Sequence, residues 1–181
     1  MWRRFRWVLL ALAVVLVGVV AAAVIVEKPT LDDDEQAVDA RWGDLRGALV
    51  PRYAALDGAV TALGAAGEGD RSVTKDLTAD LAAWKRALDG GSAATQVEVA
   101  NRLEGQGARL RANVVNAARL SQDANVVGAL AAFDNAAPPG NVVAAYNRAV
   151  QTYEDDRSDT LGAPVALVLG FDARSQFAAT T

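Results

Sequence analysis

The chain has 181 residues and a formal net charge of −4, with 22 acidic and 18 basic residues, and it contains no cysteine and no histidine. The missing cysteine excludes disulfides, thiolate metal sites and a lipid-modified cysteine. The missing histidine removes the commonest general base and metal ligand. Because nucleic-acid binding depends on basic patches, the acidic balance also argues against a nucleic-acid partner.

The first predicted element is an apolar run over residues 8–26 that contains no charged residue. As a helix, its roughly 19 residues would extend about 28 Å, enough to cross the hydrocarbon core of a bilayer. We therefore predict a transmembrane helix over 8–26, with the lipid bilayer as its partner. Two other interpretations stay open: a cleavable signal peptide with its cleavage site near Ala21, Ala22 and Ala23, and a buried core helix.

The charges that flank this run predict its orientation. Arg3, Arg4 and Arg6 precede it, and an acidic block at 32–35 follows it. Since basic flanks stay on the cytoplasmic side, we predict that residues 1–7 are cytoplasmic. The remainder, from about residue 30, would lie outside the cytoplasm of a single-pass cell-membrane protein.

The first long helix of the body is predicted from about residue 34 to residue 63. Pro29 favours a stop before it, so residues 27–34 are expected to form a linker. Pro51 lies inside the helix, and because the apolar stripe keeps its phase there, we predict a bend rather than an end. The stripe consists of Val38, Trp42, Leu45, Leu49, Tyr53, Leu56, Val60 and Leu63.

Three further helices complete a predicted all-α fold, an antiparallel four-helix bundle of long helices. The second covers 72–88. The third opens with the capping-box pattern at 95–98 and extends to about residue 133, with a polar stretch at 121–125 where a break is expected if one occurs. The fourth starts near Asn141. A short apolar segment at 165–171 should pack on the bundle.

In its order of parts the chain resembles the LemA family of bacterial membrane-anchored helical proteins. The shared features are the long helix with its internal Pro51, the late pair Tyr146-Asn147, and the apolar segment that ends in Gly170-Phe171. The resemblance implies a helical bundle over 35–177 on a membrane tether, followed by a tail at 178–181. It implies no particular activity, because the molecular activity of the family is unsettled.

Two acidic clusters are the first candidate sites. Carboxylate oxygens can bind divalent cations, and paired carboxylates can perform acid–base chemistry. The simpler interpretation of both clusters is a solvated helix end, and we predict no catalytic, metal or cofactor site. The clusters are Asp32, Asp33, Asp34 and Glu35, and Glu154, Asp155 and Asp156 with Asp159.

The other candidates lie on the later helices. Tyr146 and Tyr153 are seven residues apart, a spacing that suits a ligand shelf but favours core tyrosines whose hydroxyls reach partners at the rim. Asn147 is a candidate buried amide that ties helices together. Gly105 and Gly107 indicate a close helix approach or a kink.

Taken together, these patterns predict a non-enzymatic interaction or scaffolding module of the cell envelope. Its partner would be an unknown membrane or envelope protein, it would need no cofactor, and its binding residues are not identified by sequence. The alternative is an extracytoplasmic domain that senses a small molecule between its helices.

Overall fold

The computed structural model describes residues 2–179, and for 2–17 and Val19 it describes the backbone alone. The described residues form seven helices and no strand, so the all-α prediction and the helical-bundle character are confirmed. The helices are α1 (Trp2–Ala65), α2 (Ser72–Gly90), α3 (Ala93–Asn116), α4 (Ala118–Ser121), α5 (Ala124–Asn135), α6 (Gly140–Ser158) and α7 (Gly162–Leu169).

The predicted membrane span at 8–26 is part of α1. Most of its side chains lie outside those that the structure describes. Among the described residues, no helix combines the length and the apolar character needed to cross a membrane. The span therefore stays a prediction.

Where a linker was expected at 27–34, α1 continues as a helix. A proline within a helix removes one backbone N–H donor, but other contacts can hold the helix together. Here Leu31 is fully buried against Ala23 and Val165, and Lys28 forms an ion pair with Asp32 one turn later. The packing of Leu31 therefore outweighs the tendency of Pro29 to end the helix.

The prediction that the helix continues through Pro51 is confirmed, since α1 ends only at Ala65. The apolar stripe is buried almost throughout, with Val60 half-buried. Tyr53 packs edge-on against Trp84 of α2, with ring centroids 5.0 Å apart, and its hydroxyl donates to the Ala100 carbonyl at 3.0 Å. The stripe therefore faces the core, as its period predicted.

The chain divides into two compact units. Unit 1 contains the described residues up to Val38 together with Ala149–Arg174, and unit 2 contains Asp39–Arg148 with the described residues from Ser175 onwards. Both α1 and α6 contribute residues to each unit.

Three helices, α3, α4 and α5, occupy the stretch that was predicted as one long helix up to residue 133. The break that the sequence allowed for at 121–125 is present between Ser121 and Ala124, whereas the break at Ala117 was not predicted. Ala117 is extended and ends α3. Asp123 begins α5, since its carboxylate accepts hydrogen bonds from the backbone N–H groups of Asn125 and Val126 at 2.9 and 3.2 Å. Such N-cap bonds satisfy donors that the helix itself leaves free.

The start of α3 also differs from the prediction. Ser92, not Thr95, is the N-cap, and its hydroxyl accepts from the Thr95 backbone N–H at 3.3 Å. The expected capping box at 95–98 therefore lies inside the helix.

Helix α7 follows α6 closely. The carbonyl oxygen of Asp156 would be 1.9 Å from a Cβ atom at Gly162, so only glycine fits at the start of α7. Gly170 ends the helix in the left-handed conformation, with φ at +78°, which is a common helix ending. The apolar segment expected at 165–171 thus forms a helix of two turns, with Val165 and Ala166 buried.

Candidate functional site

The described chain ends in an irregular segment from Phe171 to Ala179. In unit 2, part of this segment is bound by side chains of α6. The Tyr146 hydroxyl donates to the Ser175 carbonyl at 2.8 Å. The Asn147 amide donates to the Phe177 carbonyl at 2.9 Å and accepts from the Phe177 N–H at 2.8 Å, so one side chain satisfies both backbone groups of a residue.

Helix α3 contributes a second amide of the same kind. Asn101 donates to the Gln176 carbonyl and accepts from the Ala178 N–H, both at 2.9 Å. The two asparagines act as a neighbouring β-strand would, because each offers one donor and one acceptor to an extended backbone. The ring of Phe177 is 2% exposed and anchors the segment. We call the site formed by Asn101, Tyr146 and Asn147 the tail site.

In unit 1, side chains of α6 also bind the backbone of the terminal segment, at residues 171–174. The Tyr153 hydroxyl donates to the Asp172 carbonyl at 2.8 Å, and Arg157 Nε donates to the Phe171 carbonyl at 3.0 Å. The Glu154 carboxylate accepts from the Arg174 N–H at 2.5 Å. Burial raises the pKa of Tyr153, and so does the nearby Glu35, so its hydroxyl stays protonated and can donate.

The predicted candidates on α6 can now be placed. Tyr146 and Tyr153 have buried rings and hydroxyls bound to backbone carbonyls, as expected of core tyrosines with rim partners. Asn147 was expected to tie helices together, but it binds the terminal segment instead. A pattern of apolar residues cannot reveal this contact, because its partner is an irregular segment 30 residues away.

The two acidic clusters meet in unit 1, which the sequence did not indicate. Glu35 accepts a hydrogen bond from Arg174 Nη2 at 2.6 Å, and Glu154 pairs with Arg157 at 3.0 Å. Asp34 is a neighbour of Asp156. Asp33, Asp155 and Asp159 are exposed, and Asp32 is half-buried.

The pairing of Asp34 with Asp156 changes its acidity. Burial, and then the hydrogen bond and charge of Asp156, raise the pKa of Asp34 to about 6, with a smaller contribution from Asp33. Two close carboxylates cannot both be ionised without repulsion. In the described part of the chain, no group of three or more acidic side chains is placed to hold a metal ion.

This raised pKa predicts how stability depends on pH. Since Asp34 binds a proton more tightly in the folded chain than at its ordinary value of 3.8, its contribution to stability is complete below about pH 4. It is lost as the pH rises through about 6. We expect the Asp34→Asn variant to lose less stability than the wild type between pH 4 and about pH 6. Urea unfolding of the full chain in detergent measures this difference.

The control for this experiment is Asp155→Asn, at an exposed position that does not contribute to the raised pKa of Asp34. It should keep the wild-type pH dependence. A wild-type slope in the Asp34→Asn variant would contradict the assignment.

The most deeply buried charges of the described residues belong to unit 2. Arg52 and Glu104, with side chains 2% and 1% exposed, form a two-pronged ion pair with N–O distances of 2.7 and 2.8 Å. Arg52 also donates to the Phe133 carbonyl at 2.9 Å, and its guanidinium stacks 3.8 Å from the centre of the Phe133 ring. The pair thus joins α1, α3 and α5.

The missing side chain at Gly107 leaves room for the Phe133 ring. A Cβ atom there would be 2.8 Å from two atoms of the Phe133 ring, which confirms the expected close approach, whereas Gly105 has no neighbour within 4 Å of such an atom. We expect Gly107→Ala to destabilise the chain by about 1–3 kcal/mol, because overpacking displaces the ring from Arg52. Gly105→Ala is the matched control and should stabilise the helix by up to about 1 kcal/mol. Equal effects of both substitutions on urea unfolding would contradict the packing argument.

An open cleft of about 710 Å³ lies beside the tail site in unit 2, with a mainly apolar lining. Its polar wall includes Asn147, Arg52 and Arg111. The charge of Arg52 is balanced by Glu104, and Arg111 pairs with Asp134 at 2.7 Å. The cleft therefore carries little uncompensated charge.

The fold and the site define an all-α protein whose helices bind an extended backbone segment through side chains. No family model matches the chain, and no curated protein matches it significantly. Membership of the LemA family therefore stays a prediction.

Proposed function

We propose that this protein is a single-pass, membrane-anchored interaction or scaffolding module of the cell envelope, of the LemA type. The observation that carries the interaction role is the tail site. Its asparagines bind backbone groups and not side chains, so the site recognises an extended backbone largely independently of its sequence. The segment needs only one aromatic side chain, at the position of Phe177, as an anchor. Recognition through main-chain hydrogen bonds with a pocket for one side chain is a recurring mode of peptide binding.

The membrane part of the proposal is supported by the apolar run at 8–26 and by the three arginines before it. On this proposal the protein spans the membrane once, with residues 1–7 in the cytoplasm. The rest of the chain forms an antiparallel helical bundle outside the cytoplasm, tethered by the span.

The orientation can be tested with reporters fused after Thr181. We expect a reporter that is active only outside the cytoplasm to work there. Activity from a reporter that works only in the cytoplasm would contradict the proposed orientation.

The interaction role can be tested by affinity capture of the full chain from detergent-solubilised membranes. We expect the Phe177→Ala chain, whose tail has lost its buried anchor and competes less, to capture a reproducible protein partner. Adding Asn101→Ala with Asn147→Ala should reduce this capture at least about tenfold, since each lost amide removes two hydrogen bonds worth about 1 kcal/mol apiece. Asn113→Ala is the control on the same helix. A partner retained equally by both variants would show that the tail site does not bind it.

A second candidate function is the sensing of a small molecule, which the cleft of about 710 Å³ favours. Ligand sites in proteins commonly have this size and an apolar lining with a few polar groups. Since the two arginines are balanced by acidic partners, the ligand would be neutral and largely apolar. Mass spectrometry of the purified full chain would detect a bound molecule of that class.

A further inference from the structure

Unit 1 exposes an unusual number of apolar side chains on one short helix. In α7, Leu167 is 86% exposed, Val168 63% and Leu169 41%. Successive helical residues point about 100° apart, so three in a row cover a wide arc. Leu167 and Val168 lie on the side of α7 opposite its buried residues, which are Gly162, Val165 and Ala166. Isolated exposed apolar residues are ordinary, but a contiguous patch marks a contact surface.

The buried side of α7 fixes where this patch lies along α1. Val165 forms a cluster with Ala23 and Leu31, against which Val24 and Phe171 also pack. The apolar run of α1 ends at Val26, between these two contacts. At 1.5 Å per residue, Ala23 lies about 5 Å inside the end of the run and Leu31 about 8 Å beyond it. Helix α7 is thus packed at the level where the apolar run ends.

The end of the run is itself exposed. Ile25 is 76% exposed and Val26 64%. Both α1 and α7 therefore expose apolar side chains at the same level along α1. At a membrane surface, lipid would cover such side chains.

We infer that α7 lies in the interface of the bilayer, with Leu167 and Val168 in contact with lipid. This inference rests on the proposed membrane span at 8–26 and adds a second point of membrane contact to it. The insertion would be apolar rather than electrostatic, because the exposed side chains of α7 that carry it have no charge.

The experiment uses the full chain in nanodiscs of zwitterionic phosphatidylcholine. The sequence contains no cysteine, so a single introduced cysteine can carry an environment-sensitive fluorophore. The test positions are Leu167→Cys and, as a second variant, Val168→Cys. Since both side chains are exposed, their replacement leaves the buried cluster intact.

Two further positions on α1 are the controls. Gly18→Cys lies inside the proposed span, and a Cβ atom there has no neighbour within 4 Å. Ala37→Cys is exposed and lies about 16 Å beyond the end of the run along the helix. Thermal unfolding followed by circular dichroism checks that each labelled chain is folded.

The readout is quenching by lipids that carry a spin label in their acyl chains. We expect at least about twofold quenching at Gly18, Leu167 and Val168, and little at Ala37, because only groups at acyl depth meet the quencher. Quenching at Gly18 without quenching at Leu167 or Val168 would overturn the inference for α7 and leave the anchor standing.

Absence of quenching at all positions would overturn the proposed anchor and with it the inference. A blue-shifted but unquenched label at Leu167 would mean that protein, and not lipid, covers α7, which also overturns the inference.

Discussion

Replacing Glu104 with leucine is expected to destabilise the chain by about 3–5 kcal/mol, because it leaves Arg52 charged and buried without its partner. The Arg52 side chain is only 2% exposed, so solvent can screen little of its charge. Its remaining hydrogen bond, to the Phe133 carbonyl, cannot balance a full charge. Urea unfolding of the full chain in detergent measures the loss.

The double variant Arg52→Met with Glu104→Leu is the matched control. It removes both charges together, so the desolvation cost disappears along with the attraction, and the Phe133 carbonyl loses one donor. We expect its stability to lie within about 2 kcal/mol of the wild type.

An exposed ion pair supplies a second comparison. Lys85 and Asp57, with side chains 65% and 50% exposed, lie 3.3 Å apart. Asp57→Ala should cost at most about 1 kcal/mol, because solvent screens the pair. A loss below 1 kcal/mol for Glu104→Leu as well would show that Arg52 reaches water or another partner on its own.

Replacing Trp42 with alanine is expected to cost about 3–5 kcal/mol through the loss of buried volume. The indole is 3% exposed and packs 5.5 Å from the ring of Tyr146. Its Nε1–H donates to Gln96 Oε1 at 2.8 Å, while the amide nitrogen of Gln96 donates to the carbonyls of Ala87 and Gly91. The substitution would therefore also leave a buried acceptor without a donor.

Trp42→Phe separates these two effects. It keeps most of the ring volume but removes the N–H, so we expect a loss of about 1–3 kcal/mol. A small loss for Trp42→Ala, close to that of an exposed residue, would place this stripe of α1 at the surface.

The sequence was sufficient to predict the all-α fold and the buried face of α1, because residues three and four apart share one face of a helix. The sequence was less informative about where helices continue or end, because contacts between distant residues decide this. The helix continues through Pro29 because Leu31 is buried on Val165, a residue more than 130 positions away. The break at Ala117 has no glycine or proline to mark it.

The buried ion pair does have a signal in the sequence. Arg52 follows Leu49 by three positions and precedes Leu56 by four, so it occupies a position in the apolar stripe. Glu104 follows Ala100 by four positions and precedes Gly107 by three, so it lies on one helix face with them. A charge on a buried stripe predicts an opposite charge nearby, since an unpaired one is too costly.

The tail site could not be predicted in the same way. Asn101, Asn147 and the terminal segment are brought together only by the fold, and the contacts are made to the backbone of the segment, which carries no sequence signal. The structure alone shows that Phe177 is buried and anchors this segment.

The central claim is that unit 2 is a module for binding extended segments. Its most direct test is the binding of a fluorescent peptide with the sequence of residues 172–179 to the full chain. In the wild type the tethered tail competes at an effective concentration in the millimolar range, so binding should be weak. In the Phe177→Ala chain, we expect the peptide to bind at least about tenfold more tightly, because the tail has lost its buried anchor.

A peptide in which Phe177 is replaced by alanine is the control and should not bind detectably to either chain. Anisotropy titrations give the dissociation constants. Tighter binding of the unmodified peptide to the Phe177→Ala chain, abolished by Asn101→Ala with Asn147→Ala, is the result that the proposed function predicts. Equal binding to wild-type and Phe177→Ala chains, or binding that survives loss of both asparagines, would contradict it.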